Sequence, residues 1–412
     1  MKSSLIRCKI FGMASLLAVF LLLGSSGCSQ AEKPLSPRDP DLVIQLRWMQ
    51  SYPSQSRAKA NTGLFWALSF LGAKLPADAA IISWSGNVVT VDLDAAGVPQ
   101  GSREAWKKLV RLLKTSDEYR VMGGMDMGRF VFLSLCGSQQ YYALTGVTPT
   151  YAEFRARHAF APRQVAIVES AVAHGNRLIE VGQGEGIDSV AFVAFEGAGA
   201  LRDHTFQKAD IETLDLMDNG QLRFGLYDLE GHLKETTTRS LTTAGKPSKC
   251  LWCHEINVQP PFKNVTDLEG YYSTKEFRGL VKGDMRIIAN YRKTLAAKVD
   301  FTRTQDHSNA EDLYMSFAEP TAIRLAAEWN MPLERVKQLL ASHNLKTHPH
   351  RKAVDNGILG DELYDRNEVD PLAPYKTIRG PSDMREASSY EPNLLQCPLS
   401  CAPVLFSGRR RP

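Results

Sequence analysis

The sequence predicts an α+β fold, with a mixed N-terminal part, a β-rich middle region and a mainly helical C-terminal part. Strand-like runs joined by Gly86-Asn87 and by Asn219-Gly220 predict two β-hairpins. Apolar side chains at helical spacing dominate the last third of the chain. The 412 residues are 43% hydrophobic and 23% charged, which is a globular composition in a chain long enough for two or three domains with cores.

The N-terminus has the order of a secretory signal. Lys2, Arg7 and Lys9 precede an apolar run from Ile10 to Leu23, and small residues follow it. The run holds about 14 residues, fewer than the roughly 20 that a membrane-spanning helix needs. We therefore expect residues 1–27 to be a signal peptide and the remainder of the chain to be exported.

The end of this segment, Ser25-Ser26-Gly27-Cys28, resembles the bacterial lipoprotein signal, in which a cysteine after small residues is acylated and becomes the new N-terminus. The resemblance implies lipidation of Cys28 and a membrane anchor. Ser29, where the family has an Asp in proteins kept in the inner membrane, favours the outer membrane. Ordinary cleavage, with Cys28 lost or unmodified, is the alternative. The polar, proline-punctuated residues 28–41 are expected to form a tether.

The charge of the mature chain argues against nucleic-acid binding. Residues 1–27 carry three positive charges and no negative ones, so their removal lowers the formal net charge from +4 to +1. A nearly neutral chain lacks the basic excess that binds phosphates. We expect no nucleic-acid partner.

Residues 42–160 are predicted to be mixed, and residues 161–245 to be β-rich. In the first region the hairpin at Gly86 precedes a helix whose apolar face is formed by Trp106, Leu109, Val110 and Leu113. In the second region, strand-forming runs cover 177–181, 189–195 and both arms of the hairpin at Asn219-Gly220.

The sharpest chemical signal is Cys250-Leu251-Trp252-Cys253-His254, which has the C-x-x-C-H spacing of covalent haem attachment. With seven cysteines and nine histidines in the chain, about 0.003 accidental matches are expected. The motif resembles that of c-type cytochromes. The resemblance implies one haem c bonded through thioethers to Cys250 and Cys253, with His254 as the proximal iron ligand. Bacteria attach such haem after export, in agreement with the N-terminal signal.

Three other interpretations of the motif stay open. A structural zinc site needs two further Cys or His ligands. A thioredoxin-like redox dithiol usually opens a helix after a buried strand, whereas the polar residues 236–249 predict a loop. The two thiols can also form a structural disulfide.

Residues 246–345 are expected to be mainly helical and to bear the haem. Ser273 and Glu276 have the spacing of a capping box at the start of a long apolar stripe. Pro332 interrupts a second helical stretch, which predicts a helical hairpin packed near the haem. Turn-rich and charged residues then predict an extended C-terminal segment over 346–412.

The sixth iron ligand is open at the level of sequence. Resemblance to small monohaem cytochromes implies a downstream methionine, which nominates Met315 or Met285, although Met285 flanks the apolar helix face and suits core filling. Further options are the histidines His307, His343, His348 and His350. The resemblance also implies that the turn Val258–Phe262 accepts a hydrogen bond from His254.

Two classes of function follow from the haem, and a third does not depend on it. With both axial positions filled, the protein is an electron-transfer lipoprotein of the periplasm or cell envelope that serves redox partner proteins. With one position open, it is a sensor or an oxidoreductase for a gas or peroxide. Alternatively, the β-rich region binds a partner and the haem is accessory.

The remaining cysteines fit an oxidising compartment. Cys397 and Cys401 can pair with each other, or one of them with Cys136, and the connectivity stays open. The apolar run before Cys136 predicts that this thiol is buried and inert.

Overall fold

The alternating apolar runs of the sequence form two β-sheets in the computed structural model. The structure describes residues 39–51, 55–168, 170, 172–258, 267–345, 363–380 and 393–396. Within these residues the fold is mixed α+β, as the sequence predicts. The described residues all belong to one compact unit.

The first sheet combines the predicted N-terminal hairpin with two short strands. Its strands are β1 (Val43–Arg47), β2 (Ile82–Ser85), β3 (Val88–Asp92) and β4 (Met125–Asp126), in the order β2-β3-β1-β4. The hairpin of β2 and β3 is confirmed, and Gly86 in its turn has a φ of +59°, which glycine adopts without strain. β4 pairs parallel to β1 over only two residues, too few to leave a pattern in the sequence.

The second sheet is an antiparallel meander. Its strands are β5 (Val165–Ile167), β6 (Arg177–Val181), β7 (Ala191–Ala198), β8 (Gln207–Leu216) and β9 (Leu222–Tyr227), and they pair in sequence order. The hairpin of β8 and β9 is confirmed, with Gly220 at a φ of +81° in its turn.

Twelve α-helices surround the sheets in the described part of the chain. The first six are α1 (Arg57–Phe70), α2 (Arg103–Thr115), α3 (Asp117–Met122), α4 (Met127–Leu135), α5 (Ser138–Thr145) and α6 (Tyr151–Arg157). The other six are α7 (Pro247–His254), α8 (Thr274–Arg292), α9 (Ser308–Ala318), α10 (Ala322–Trp329), α11 (Leu333–Ser342) and α12 (Arg366–Val369). None of the helices described is long and apolar enough to cross a bilayer, and the run from Ile10 to Leu23 lies outside the described residues.

Several local predictions are confirmed. The capping box that begins α8 is present, since Ser273 Oγ accepts from the Glu276 amide and Glu276 Oε2 accepts from the Ser273 amide at 2.8 Å. The four apolar residues predicted on α2 are all buried. Cys136 is buried at the end of α4, while Cys397 and Cys401 lie outside the described residues.

One large hydrophobic core joins both sheets to the helices. It contains residues from β1, α1, α4, β6, β9, α7, α8 and α9. The opposite face of the second sheet packs a smaller cluster that includes Phe154, Val193 and Tyr227. Since the N-terminal, β-rich and helical regions share the large core, each depends on the others for burial of its apolar surface.

The helical hairpin of α10 and α11 is present, but the expectation that it packs near the haem motif is wrong. Its buried residues, among them Leu325 and Trp329, instead pack with Tyr364, Val369 and Tyr375 of the C-terminal segment. Amphipathic spacing in the sequence shows that a helix has an apolar face, but not what covers that face.

Buried ion pairs fix this C-terminal assembly to the first sheet. Arg324 of α10 binds both carboxylate oxygens of Asp126 at 2.7 Å. Arg129 of α4 binds Glu118 at 2.7 Å and Asp370 at 2.8 Å. Such a network holds the two parts in one arrangement, because a charge left without its partner would be strongly destabilising.

Candidate functional site

Helix α7 carries the C-x-x-C-H motif and sets its geometry. Pro247 occupies the first turn, where its missing amide hydrogen costs nothing, and the helix ends at His254 before Glu255 adopts a φ of +53°. Residues four apart lie on one face of a helix, so Cys250 and His254 point to the same side. Both line one pocket, whereas Cys253 is exposed.

The opposite side of α7 is anchored in the large core. Leu251 is buried, and the ring of Trp252 stacks on Tyr314 of α9 with 4.9 Å between centroids. The same indole meets the Phe70 ring of α1 edge-on at 6.0 Å. The two variable residues of the motif therefore hold the helix against the core, while Cys250 and His254 face the pocket and Cys253 is exposed.

The pocket beside α7 lies between one face of the second sheet and α8. Its empty volume is about 660 Å³, counting the part open to solvent. Cys250 and His254 form one wall, and most of the others are apolar. These apolar side chains include Ile179, Phe192, Leu214, Phe224, Phe277 and Val281.

Strand register explains why these side chains meet. Val181, Phe192, Leu214 and Phe224 are in register across four strands, and alternate residues of a strand share one face. The next row on this face is Ile179, Ala194, Glu212 and Leu226. These two rows thus form a largely apolar floor that contains one carboxylate.

His254 is a half-buried, neutral imidazole. Burial lowers its pKa to about 4, and the backbone of Asn257 acts weakly in the opposite direction. Its Nδ1 is buried and has no hydrogen-bond partner in the described structure, and the Phe224 ring lies 5.4 Å away. A neutral imidazole is the form that binds a metal ion.

The two motif cysteines differ in their environment. Burial raises the pKa of the Cys250 thiol, and the charge of Glu212 acts in the same direction. Cys253 is exposed at the rim of the helix. Catalytic dithiols of the thioredoxin type instead carry a thiol of lowered pKa, so Cys250 lacks the property that such a redox centre needs.

The chain that follows the motif is clamped by α8. Arg292 donates from Nε to the carbonyl of Gly220 at 2.8 Å and from Nη2 to that of Ile256 at 2.6 Å. Ile256 and Val258 are buried, and Val258 lines the pocket. The proline turn expected to accept from His254 lies mostly outside the described residues.

The pocket also holds charged residues that the sequence analysis did not identify. Arg177 of β6 forms ion pairs with Glu196 of β7 and, at 2.8 Å, with Glu212 of β8. Arg177 and Glu212 both line the pocket. The available signal was the presence of charged residues in strands that are otherwise rich in apolar residues, which indicates burial with a partner.

Among the described residues, the structure brings none of the nominated sixth ligands into this pocket. Met285 and Met315 are half-buried against the large core, and neither lines the pocket. His307 is buried near Trp66, and His343 is exposed at the end of α11. The other nominated histidines, His348 and His350, and the lipidation candidate Cys28 lie outside the described residues.

A preformed metal cluster is absent from the described ranges, where no three His, Cys, Asp or Glu side chains come close enough to hold a metal ion. A zinc site that uses Cys250 and Cys253 would therefore need ligands from the rest of the chain.

Comparison with known proteins assigns no family to the chain. No protein-family model, no curated protein and no solved structure matches it significantly.

Proposed function

We propose that this chain is an exported, membrane-anchored protein that carries one haem c on Cys250 and Cys253, with His254 on the iron, and that it transfers electrons. The observation that carries the proposal is the shared pocket of Cys250 and His254, both on the open side of α7. The proposed haem-bearing part is the helical region 246–345.

The residues of the pocket are chemically suited to a haem. His254 offers a neutral imidazole, and Cys250 offers a protonated thiol that can add across a vinyl group. The apolar floor, with Phe192, Leu214 and Phe224, suits an aromatic macrocycle. A haem held there supplies an iron centre that exchanges one electron.

The unequal exposure of the two cysteines favours electron transfer. Cys250 lies in the pocket and Cys253 at the surface, so a group bonded to both would reach solvent. A redox partner protein needs such access. The sequence signals at Ser25–Cys28 support a location in the cell envelope. There a lipid on Cys28 would anchor the protein, and the outer membrane is favoured.

Haem retention under denaturing conditions tests the attachment. Expressed with a c-type maturation system, the wild-type protein should keep its haem through acid-acetone extraction. Cys250→Ser and Cys253→Ser should each impair retention, while Cys136→Ser, which changes a buried cysteine outside the pocket, should leave it intact. Complete extraction of haem from the wild-type protein would refute covalent attachment.

An iron with an open sixth position is the second candidate, which would make the protein a sensor or an oxidoreductase. It is favoured by the pocket lining, which in the described part of the chain contains no methionine and no second histidine. A methionine ligand predicts a weak far-red band in the oxidised protein, lost in Met315→Ala or in Met285→Ala. Rapid binding of carbon monoxide by the reduced protein, with both variants spectrally unchanged, would replace electron transfer by the open-site function.

A further inference from the structure

The pocket beside α7 contains a buried cluster with unequal numbers of charges. Arg177, Glu196 and Glu212 come from three adjacent strands and bring one guanidinium together with two carboxylates. Ala194 lies in register between Ile179 and Glu212, and its small side chain leaves room for Arg177 to reach across β7. Arg177 is 6% exposed and Glu196 is fully buried.

Burial of this cluster lowers the stability of the fold, which is unexpected if the cluster has only a structural role. Asp210, in register with Glu196, is neutralised by Lys234. With all groups ionised, the two carboxylates of Glu196 and Glu212 therefore exceed the charge of Arg177 by one negative charge in a largely apolar pocket. Oε1 of Glu212 is buried and has no hydrogen-bond partner in the described structure. An uncompensated buried carboxylate destabilises a fold unless a positive charge lies near it.

The cluster is electrostatically coupled to the motif. The charge of Glu212 contributes to the raised pKa of Cys250, and the charge of Arg177 contributes to the lowered pKa of His254. Both charged residues line the same pocket as the motif residues. Their charges therefore act on any group bonded to Cys250 and ligated by His254, through surroundings of low dielectric constant.

We propose that Glu212, which Arg177 holds beside Glu196, lowers the reduction potential of the haem. This inference rests on the proposed function, in which the pocket carries a haem. Ferric haem carries one positive charge more than ferrous haem. An excess negative charge beside the iron stabilises the ferric form and opposes reduction. The couple takes up one electron, and no bond is formed or broken.

Potentiometric titration of the haem-bearing protein tests this role. At alkaline pH, with dithionite as reductant, Glu212→Gln should have a more positive midpoint potential than the wild-type protein. Glu212→Asp, which keeps the charge, should stay close to the wild-type potential. If Glu212→Gln fails to mature, Glu196→Gln removes the same charge from the same cluster and should shift the potential in the same direction.

Asp215→Asn is the matched control. Asp215 is also a buried carboxylate of β8, bound by Arg223 at 2.9 Å, but it lines a separate cleft with Arg157 and His158. Asp215→Asn should shift the midpoint potential of the haem less than Glu212→Gln does. A purely structural cluster would alter stability and leave the potential unchanged in Glu212→Gln and Glu196→Gln, and that result would overturn the inference. A wild-type protein without covalent haem would overturn the proposed function itself, and the inference with it.

Discussion

At the scale of single residues, His254 combines burial with an available nitrogen. Its lowered pKa of about 4 keeps the imidazole neutral at physiological pH, and its Nδ1 has no partner in the described structure. A buried polar atom without a partner is uncommon in a folded protein. The neutral ring is available to ligate a metal ion.

His254→Ala should leave haem attachment possible and change the optical spectrum. Removal of the imidazole takes away the proximal ligand but neither thiol, so covalent haem should remain with altered absorption bands. The measurement is the spectrum of the purified protein, with His158→Gln, a histidine of the other cleft, as control. An unchanged spectrum in His254→Ala would exclude His254 as an iron ligand.

The sequence identified only part of the candidate site. Cys250, Cys253 and His254 are adjacent in sequence, and their chemistry is visible in the spacing alone. Arg177 and Glu212 meet the motif only through strand register, with Ala194 between them. Single-sequence patterns contain no information on such pairing across strands, because alternation shows the face of a residue and not its neighbours.

At the scale of elements, α8 places a carboxyl group in an apolar setting. Phe277 and Val281 line the pocket, and Asp284 follows one turn later on the buried side of the helix. Oδ2 of Asp284 has no partner in the described structure, and burial raises the pKa of this group from 3.8 to about 7. Between about pH 4 and pH 7 the Asp284 carboxyl group is therefore protonated in the folded protein and ionised in the unfolded chain.

Asp284→Asn should abolish the destabilisation that the wild-type carboxyl group causes as the pH rises. The raised pKa means that the wild-type protein loses stability between about pH 4 and pH 7, and the neutral amide has no such titration. Urea unfolding should give similar free energies for both proteins near pH 4 and a variant more stable by about 2 kcal/mol near pH 8. A difference independent of pH would contradict the assignment.

The elements themselves were predictable where local chemistry determines them. Gly86 and Gly220 supply the positive φ of their hairpin turns, and the capping box at Ser273 begins α8. The two-residue strand β4 and the packing of α10 against the C-terminal segment were not predictable. Both depend on contacts between parts of the chain that are far apart in sequence, which local patterns do not encode.

At the scale of the whole molecule, buried ion pairs join the C-terminal segment to the N-terminal helices. Arg366 binds Glu328 at 2.9 Å and Asp370 at 3.1 Å, and Asp370 also binds Arg129. Burial raises the pKa of Glu118, another partner of Arg129, to about 7, and the guanidinium opposes this shift.

Arg129→Met should destabilise the entire protein, because it leaves Glu118 and Asp370 without their shared cation. The free energy of unfolding in urea should fall by about 4 kcal/mol. Arg120→Met, which removes an exposed ion pair with Asp117 on the neighbouring helix, should cost less than about 1 kcal/mol. Equal losses of unfolding free energy in the two variants would show that burial does not increase the contribution of these ion pairs to stability.

Lipidation of Cys28 should attach the whole molecule to a membrane. Cells supplied with a labelled fatty acid should incorporate the label into the wild-type protein, and Cys28→Ala should abolish labelling and release the protein from the membrane fraction. The reason is the lipoprotein-like sequence Ser25-Ser26-Gly27 before this cysteine. A mature protein that begins elsewhere and lacks label would refute the anchor.

Cys250 and Cys253 are proposed to bond to the same haem. The most direct measurement is the alkaline pyridine haemochrome spectrum of the purified protein, because its α-band separates haem with two thioether bonds from haem with one bond or none. We expect the spectrum of a haem with two thioether bonds, at one haem for each chain. The spectrum of unmodified haem, or a colourless protein after expression with the c-type maturation system, would contradict it.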